Sequence, residues 1–120
     1  MSEGTPKSNV SLEGQMLKFN VVGVIDDVEA EKLHDVGVET LDSGAAELVL
    51  INLEGTHRFS PSARSYLVAF LRNANIKKTA IVGGNVFMRT VASFVMAAAK
   101  VDNIKFFTET PLALAWLKNN

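Results

Sequence analysis

The residues with the most chemical capacity fall in one short run, where His57, Arg58, Ser60, Pro61, Ser62 and Arg64 stand close together. Ser60-Pro61 reads as a helix start. A serine oxygen can accept from a free first-turn N–H, and proline's missing N–H costs nothing at the first helical position. Ser62 then falls at the second helical position, among backbone donors with no partner inside the helix. A phosphate on its hydroxyl would gain about 0.3–1 kcal/mol from the helix dipole. It would add about −1.5 to −2 charge, with Arg58 and Arg64 as anion partners. The plainer reading is that Ser60 caps the helix and Ser62 is a solvated first-turn residue.

A second run, Gly83-Gly84-Asn85, also opens a helix, with Arg89 one turn on. Backbone N–H groups at such a start can hold an anion. No Gly-Lys-Ser/Thr follows and the spacing is not GxGxxG, so neither phosphate-loop motif is present. The first reading is therefore a tight turn with Asn85 as N-cap. If the sheet is parallel, both runs lie beyond carboxyl ends of strands, where open α/β sheets hold their ligands. Together His57 to Arg64 and Gly83 to Arg89 form the expected anion or partner surface, with the second helix start beside the first.

Other chemistries have less support. Asp26, Asp27, Glu29, Glu31, Asp35, Glu39 and Asp42 make one helical region acidic, but no calcium-loop spacing or histidine cluster accompanies them. No metal site and no cofactor is expected. His34 lies on that same helix and carries no role. No nucleophile–base pair stands in a known motif, so the chain does not read as an enzyme. Phe70, Phe87, Phe94, Phe106, Phe107, Met88, Met96 and Trp116 are numerous enough to line an apolar pocket, although aromatic residues at helical spacing usually form core.

These residues sit in a chain of 120 with 48% hydrophobic and 21% charged residues, the composition of one soluble globular domain. Twelve Lys+Arg against thirteen Asp+Glu give a net charge of −1, so no basic field attracts nucleic acid. The absence of cysteine removes disulfides and thiolate chemistry. Met1 to Asn9 is polar and reads as a flexible tail, with residues 10–120 forming the single domain. No apolar run is long enough to span a membrane, and a cytoplasmic protein is expected.

Period-two alternation predicts a hairpin over Val10–Ile25, turning at Gly14-Gln15. An acidic helix should run from Asp26-Asp27 to about Ser43 and stop at Gly44, with Gly37 weakening its interior. Leu48–Ile51 is an apolar run suited to a strand covered on both faces. Asn52–Phe59 reads as a loop. A helix should follow Ser60, with one apolar stripe from Ala63 to Ala74. Thr79–Val82 is a second buried strand. Asn85–Lys100 is apolar nearly all round, with a wet strip of only Arg89, Ser93 and Lys100, and should be well buried. Ile104–Phe107 is a short strand. Thr110-Pro111 repeats the cap-plus-proline start of a last helix. The order β-β-α-β-α-β-α-β-α predicts an α/β fold: a mostly parallel five-stranded sheet, an antiparallel N-terminal hairpin strand and about four helices.

This order, with these residues, resembles the SpoIIAA-like family of STAS/Sec14-type domains. The likeness lies in Leu50-Ile51-Asn52-Leu53-Glu54-Gly55, in Ile76-Lys77-Lys78-Thr79-Ala80-Ile81-Val82-Gly83, in Lys105-Phe106-Phe107, and in the ending Ala113-Leu114-Ala115-Trp116-Leu117. Ser60-Pro61-Ser62-Ala63 stands where bacterial anti-sigma-factor antagonists carry Asp-Ser-Ser-Gly. The resemblance implies a non-enzymatic regulatory or protein-interaction module, with a kinase-like anti-sigma factor as partner and Ser62 at the phosphorylated position. Here Ser60 replaces the family aspartate, Pro61 the first serine and Ala63 the glycine. The Sec14 side of the resemblance implies an alternative, a module binding a small apolar ligand or lipid. A homodimer is compatible with either.

Overall fold

The computed structural model describes residues 8–119. Strands β1 (Asn9–Glu13) and β2 (Met16–Ile25) form the antiparallel hairpin, with Gly14 at a φ of +62° in its turn. Left-handed backbone of this kind is what glycine supplies at low cost. Next come α1 (Asp27–Asp42), β3 (Leu48–Phe59), α2 (Pro61–Leu71), β4 (Lys78–Val82), α3 (Val86–Ala99), β5 (Ile104–Phe107) and α4 (Thr110–Lys118). The sheet order is β1-β2-β3-β4-β5, and every pairing after the hairpin is parallel. The α/β architecture expected from the sequence is therefore the one observed.

Strand parity divides the core. Leu17, Phe19, Val49, Ile51, Leu53 and Ile81 point to one face and pack with Ala30, Ala63, Phe70, Val91 and Val95 of α1, α2 and α3. Met16, Leu50, Ala80 and Val82 point to the other face, against Ala113 and Leu117 of α4. Burial on both faces explains the continuous apolar runs of β3 and β4.

Four expectations need correction. Asn52–Phe59 is not a loop but the second half of β3. There β3 passes two irregularities. Asn20 and Val22 of β2 pair with Asn52 and Gly55, and Gly23 and Val24 pair with Thr56 and Arg58, so β3 gains a residue each time. Such bulges break the period-two pattern. Leu53, Thr56 and Phe59 are buried at spacings of three, with exposed pairs between them, and that pattern reads as neither strand nor helix. The Thr56 hydroxyl donates to the Val21 carbonyl at 2.7 Å and so satisfies a buried group beside the first bulge.

The second correction is that α2 ends at Leu71, so Ala74 lies beyond the helix. The third is that α3 is not buried all round: Val86, Phe87 and Phe94 are 77%, 51% and 73% exposed. Fourth, the residue capping α4 is Glu109, and no side chain closes that cap. The tail expected over Met1–Asn9 lies outside the described residues except for its last two. Of these, Asn9 begins β1 and Ser8 accepts from Val22 N at 2.9 Å.

Candidate functional site

Strands β2 and β3 stay paired to their carboxyl ends, Ile25 beside Phe59. The helices that follow therefore start side by side. Asp26 caps α1, its carboxylate accepting from Glu29 N at 2.9 Å. Ser60 caps α2, its hydroxyl accepting from Ala63 N at 3.0 Å. The same hydroxyl donates to Asp27 Oδ1 at 2.7 Å, and Ser60 N donates to the Ile25 carbonyl at 3.0 Å. Ser60 thus locks the two helix starts together, and its one hydroxyl proton is committed to Asp27. Ser62 follows at the second position of α2, where it is exposed.

His57 and Arg58 are exposed on β3 at its second irregularity. Arg64 is half-buried, and its Nε is enclosed with no hydrogen-bond partner. Arg58 and Arg64 thus flank Ser60 in the chain, and Ser60 in turn holds Asp27. Asp27 was not singled out as a site residue by sequence reasoning. Its role depends on a contact with a residue 33 positions away, which no local pattern encodes.

The Gly83-Gly84-Asn85 turn has a separate setting. Asn85 caps α3, its side chain accepting from Met88 N at 2.9 Å. Gly83 and Gly84 have φ of +81° and +97°, and a Cβ on Gly83 would come 2.2 Å from Glu54 Cγ. A Cβ on Gly84 would come 2.9 Å from Met88 Cβ. Turn geometry and close packing on Leu53–Glu54 account for both glycines. Arg89 is exposed one turn on. Gly83 lies against Glu54, whereas Ser60 lies against Ile25 and Asp27, with the bulged half of β3 between them.

Among the described residues no three His, Cys, Asp or Glu side chains gather as metal ligands. His34 is half-buried, contacts Asp35 at 3.1 Å, and its ring centre lies 5.6 Å from that of Tyr66. The eight aromatic and methionine residues offered as a pocket do not converge. Phe70 belongs to the core under α1–α3, Phe107 packs on Trp116 at the opposite face, and Phe87 and Phe94 face solvent. An apolar cavity of about 50 Å³ does lie between β2, β3, α1 and α2, lined by Phe19, Ile51, Phe59, Tyr66 and Phe70 among others.

The family model for a domain of unknown function, DUF7793, matches residues 20–120. The chain belongs to the DUF7793 family. That match begins within β2 and spans every element from α1 onward. No curated protein matches this DUF7793 chain by sequence. Several solved structures share its fold. A DUF3478-family protein with a SpoIIAA-like fold from Shewanella loihica PV-4 is 23% identical, with 98% of each chain covered and a TM-score of 0.71. An anti-sigma factor antagonist from Mycobacterium paratuberculosis is 15% identical, with 94% of each chain covered and a TM-score of 0.71. The Bacillus cell fate determinant SpoIIAA in its phosphorylated form is 15% identical, covering 92% of this chain and 99% of that one, with a TM-score of 0.70. This DUF7793 chain therefore has the SpoIIAA-like fold. Among its described residues no helix is long and apolar enough to cross a membrane.

Proposed function

We propose that this protein is a non-enzymatic, cytoplasmic regulatory module of the anti-sigma-factor-antagonist kind. Its partner reads the exit of β3 and the start of α2, and phosphorylation of Ser62 switches that contact. The observation that carries this reading is the division of labour between two serines. Ser60 is spent on the cap and on Asp27, whereas Ser62 is exposed at the second helical position. A protein kinase would transfer the γ-phosphoryl group of ATP to Ser62 Oγ. The Oγ–P bond forms, the bond to the bridging oxygen of ADP breaks, and the hydroxyl proton passes to a base on the kinase. The new dianion would be favoured by the dipole of α2 and by Arg58 and Arg64, and it would change the charge a partner meets. A kinase-like anti-sigma factor is the partner class this reading selects.

Native mass spectrometry of the protein purified from its own host tests the proposal. One covalent phosphate is expected, mapped to Ser62, lost in Ser62→Ala and retained in Ser60→Ala. A bare polypeptide mass, or a phosphate on another residue, would overturn the switch. A dissociable adduct of lipid mass would overturn it in favour of an apolar-ligand module. The apolar cavity of about 50 Å³ argues against that alternative, because ligand pockets occupy about 300–1,000 Å³, and the open cleft of about 610 Å³ at the end of α2 is lined largely by polar residues such as Arg72, Asn73, Lys100 and Asp102.

A further inference from the structure

The surface of α3 carries an observation that the α2 site does not use. Apolar helices normally turn large side chains inward, yet α3 does so only in part. Met88, Val91, Ala92, Val95 and Ala99 are buried, while Val86, Phe87 and Phe94 stand in water. Phe87, Thr90, Phe94 and Ala97 follow one another at spacings of three, four and three, which is the spacing of a helix–helix seam. Val86 and Ala98 flank that line, and Arg89, Ser93 and Lys100 fall along one margin by helical period.

We propose that this face is a homodimer interface, in which α3 packs antiparallel on α3 of a second copy, with the twofold axis crossing the exposed face midway between Thr90 and Phe94. Three features select a second copy. The seam is self-complementary in volume: the antiparallel register sets Phe87 against Ala97 of the partner subunit and Phe94 against Thr90 of the partner subunit. Each large ring meets a small residue, as interdigitated packing requires. The seam carries no charge, and α3 holds no acidic residue and only Arg89 as a cation. Nothing on it would select a charged partner, and the two Arg89 side chains would sit about 9 Å apart along the helix direction. Antiparallel helices also oppose their dipoles favourably.

Area is the third feature. Phe87 and Phe94 alone leave about 250 Å² exposed, and the whole face falls within the roughly 300–600 Å² of a monomer's largest patch. A twofold contact buries it twice, about 600–1,200 Å² in all, a range that brackets the threshold of about 1,000 Å² for a specific interface. A weak, concentration-dependent dimer follows.

Sedimentation equilibrium of the full chain from about 1 μM to 1 mM spans the relevant affinities. The expected result is an average mass rising from 13.0 kDa toward twice that value. Phe94→Glu should weaken dimerisation at least about tenfold, or 1.4 kcal/mol, with an unchanged circular dichroism spectrum, since Phe94 is 73% exposed. Thr90→Cys gives a second readout in a chain with no cysteine of its own. A short bismaleimide should join two such chains, and adding Phe94→Glu should abolish the product. A wild-type mass that stays at 13.0 kDa throughout would overturn the proposal, as would a dimer untouched by Phe94→Glu. A monomer that instead binds anionic vesicles through Phe94 would overturn it in favour of a membrane. Ser62→Ala should leave the dimer intact, so this test and that of the α2 switch fail independently.

Discussion

Gly37 sets two opposing terms on one residue. In the interior of α1 a glycine costs about 0.5–1 kcal/mol relative to alanine, so helix propensity alone favours Gly37→Ala. The position is buried, however, and a new Cβ would come 2.6 Å from Phe70 Cε1 and 2.8 Å from Phe19 Cζ. Those rings meet edge to face with centroids 5.1 Å apart and sit in the main core. Overpacking of such a core costs about 1–3 kcal/mol, which exceeds the propensity gain. Gly37→Ala should therefore destabilise the protein by about 1 kcal/mol and lower Tm by about 4 °C. A thermal melt checks this, and a raised Tm would mean that the two rings move aside freely. In the sequence Gly37 reads only as a weakness in a helix. Its reason, the close passage of α1 over Phe19 and Phe70, needs three elements in place at once.

At the scale of the element, most boundaries were legible because they rest on local chemistry. Asp26, Ser60 and Asn85 cap as their types predict, and Pro61 follows Ser60 at the first helical position. The second half of β3 was not legible, because its two bulges replace alternation with a spacing of three and so hide a strand inside an apparent loop. The exposed face of α3 was hidden for a related reason. An apolar sequence reports that burial is favourable and not whether a neighbour supplies it. The same logic separates the serines of the candidate site. Ser60→Ala loses the α2 cap, worth about 1 kcal/mol, and the hydrogen bond to Asp27, worth about 0.5–1.5 kcal/mol net. We expect about 1.5–2.5 kcal/mol of destabilisation from that change. Ser62→Ala touches no such contact and should stay within about 0.5 kcal/mol of the parent. Urea titration of both variants measures the difference, and equal losses would show that Ser62 has a structural role of its own.

At the scale of the molecule the sheet is covered unequally. Three helices and a large cluster seal one face, while α4 alone seals the other through a small cluster of Met16, Leu50, Ala80, Val82, Ala113 and Leu117. Fewer buried contacts mean a lower local opening energy. Much of what fastens α4 comes from one residue of the sheet. Lys78 Nζ donates to the Trp116 carbonyl at 2.9 Å and to the Asn119 carbonyl, and it stands 5.0 Å from the Trp116 ring centre. A cation there satisfies carbonyls at the end of α4 that have no partner within the helix, and it complements the negative end of the helix dipole. Hydrogen exchange should therefore find α4 amides opening at lower free energy than those of β3, which pairs on both sides. Lys78→Met keeps the side-chain stem and removes the donors. It should speed exchange of α4 by about tenfold, the equivalent of 1.4 kcal/mol, and leave β3 protection unchanged as long as α4 opens alone. Equal acceleration in α4 and β3 would show that the two faces open as one unit and that α4 is as integral to the fold as the three helices opposite.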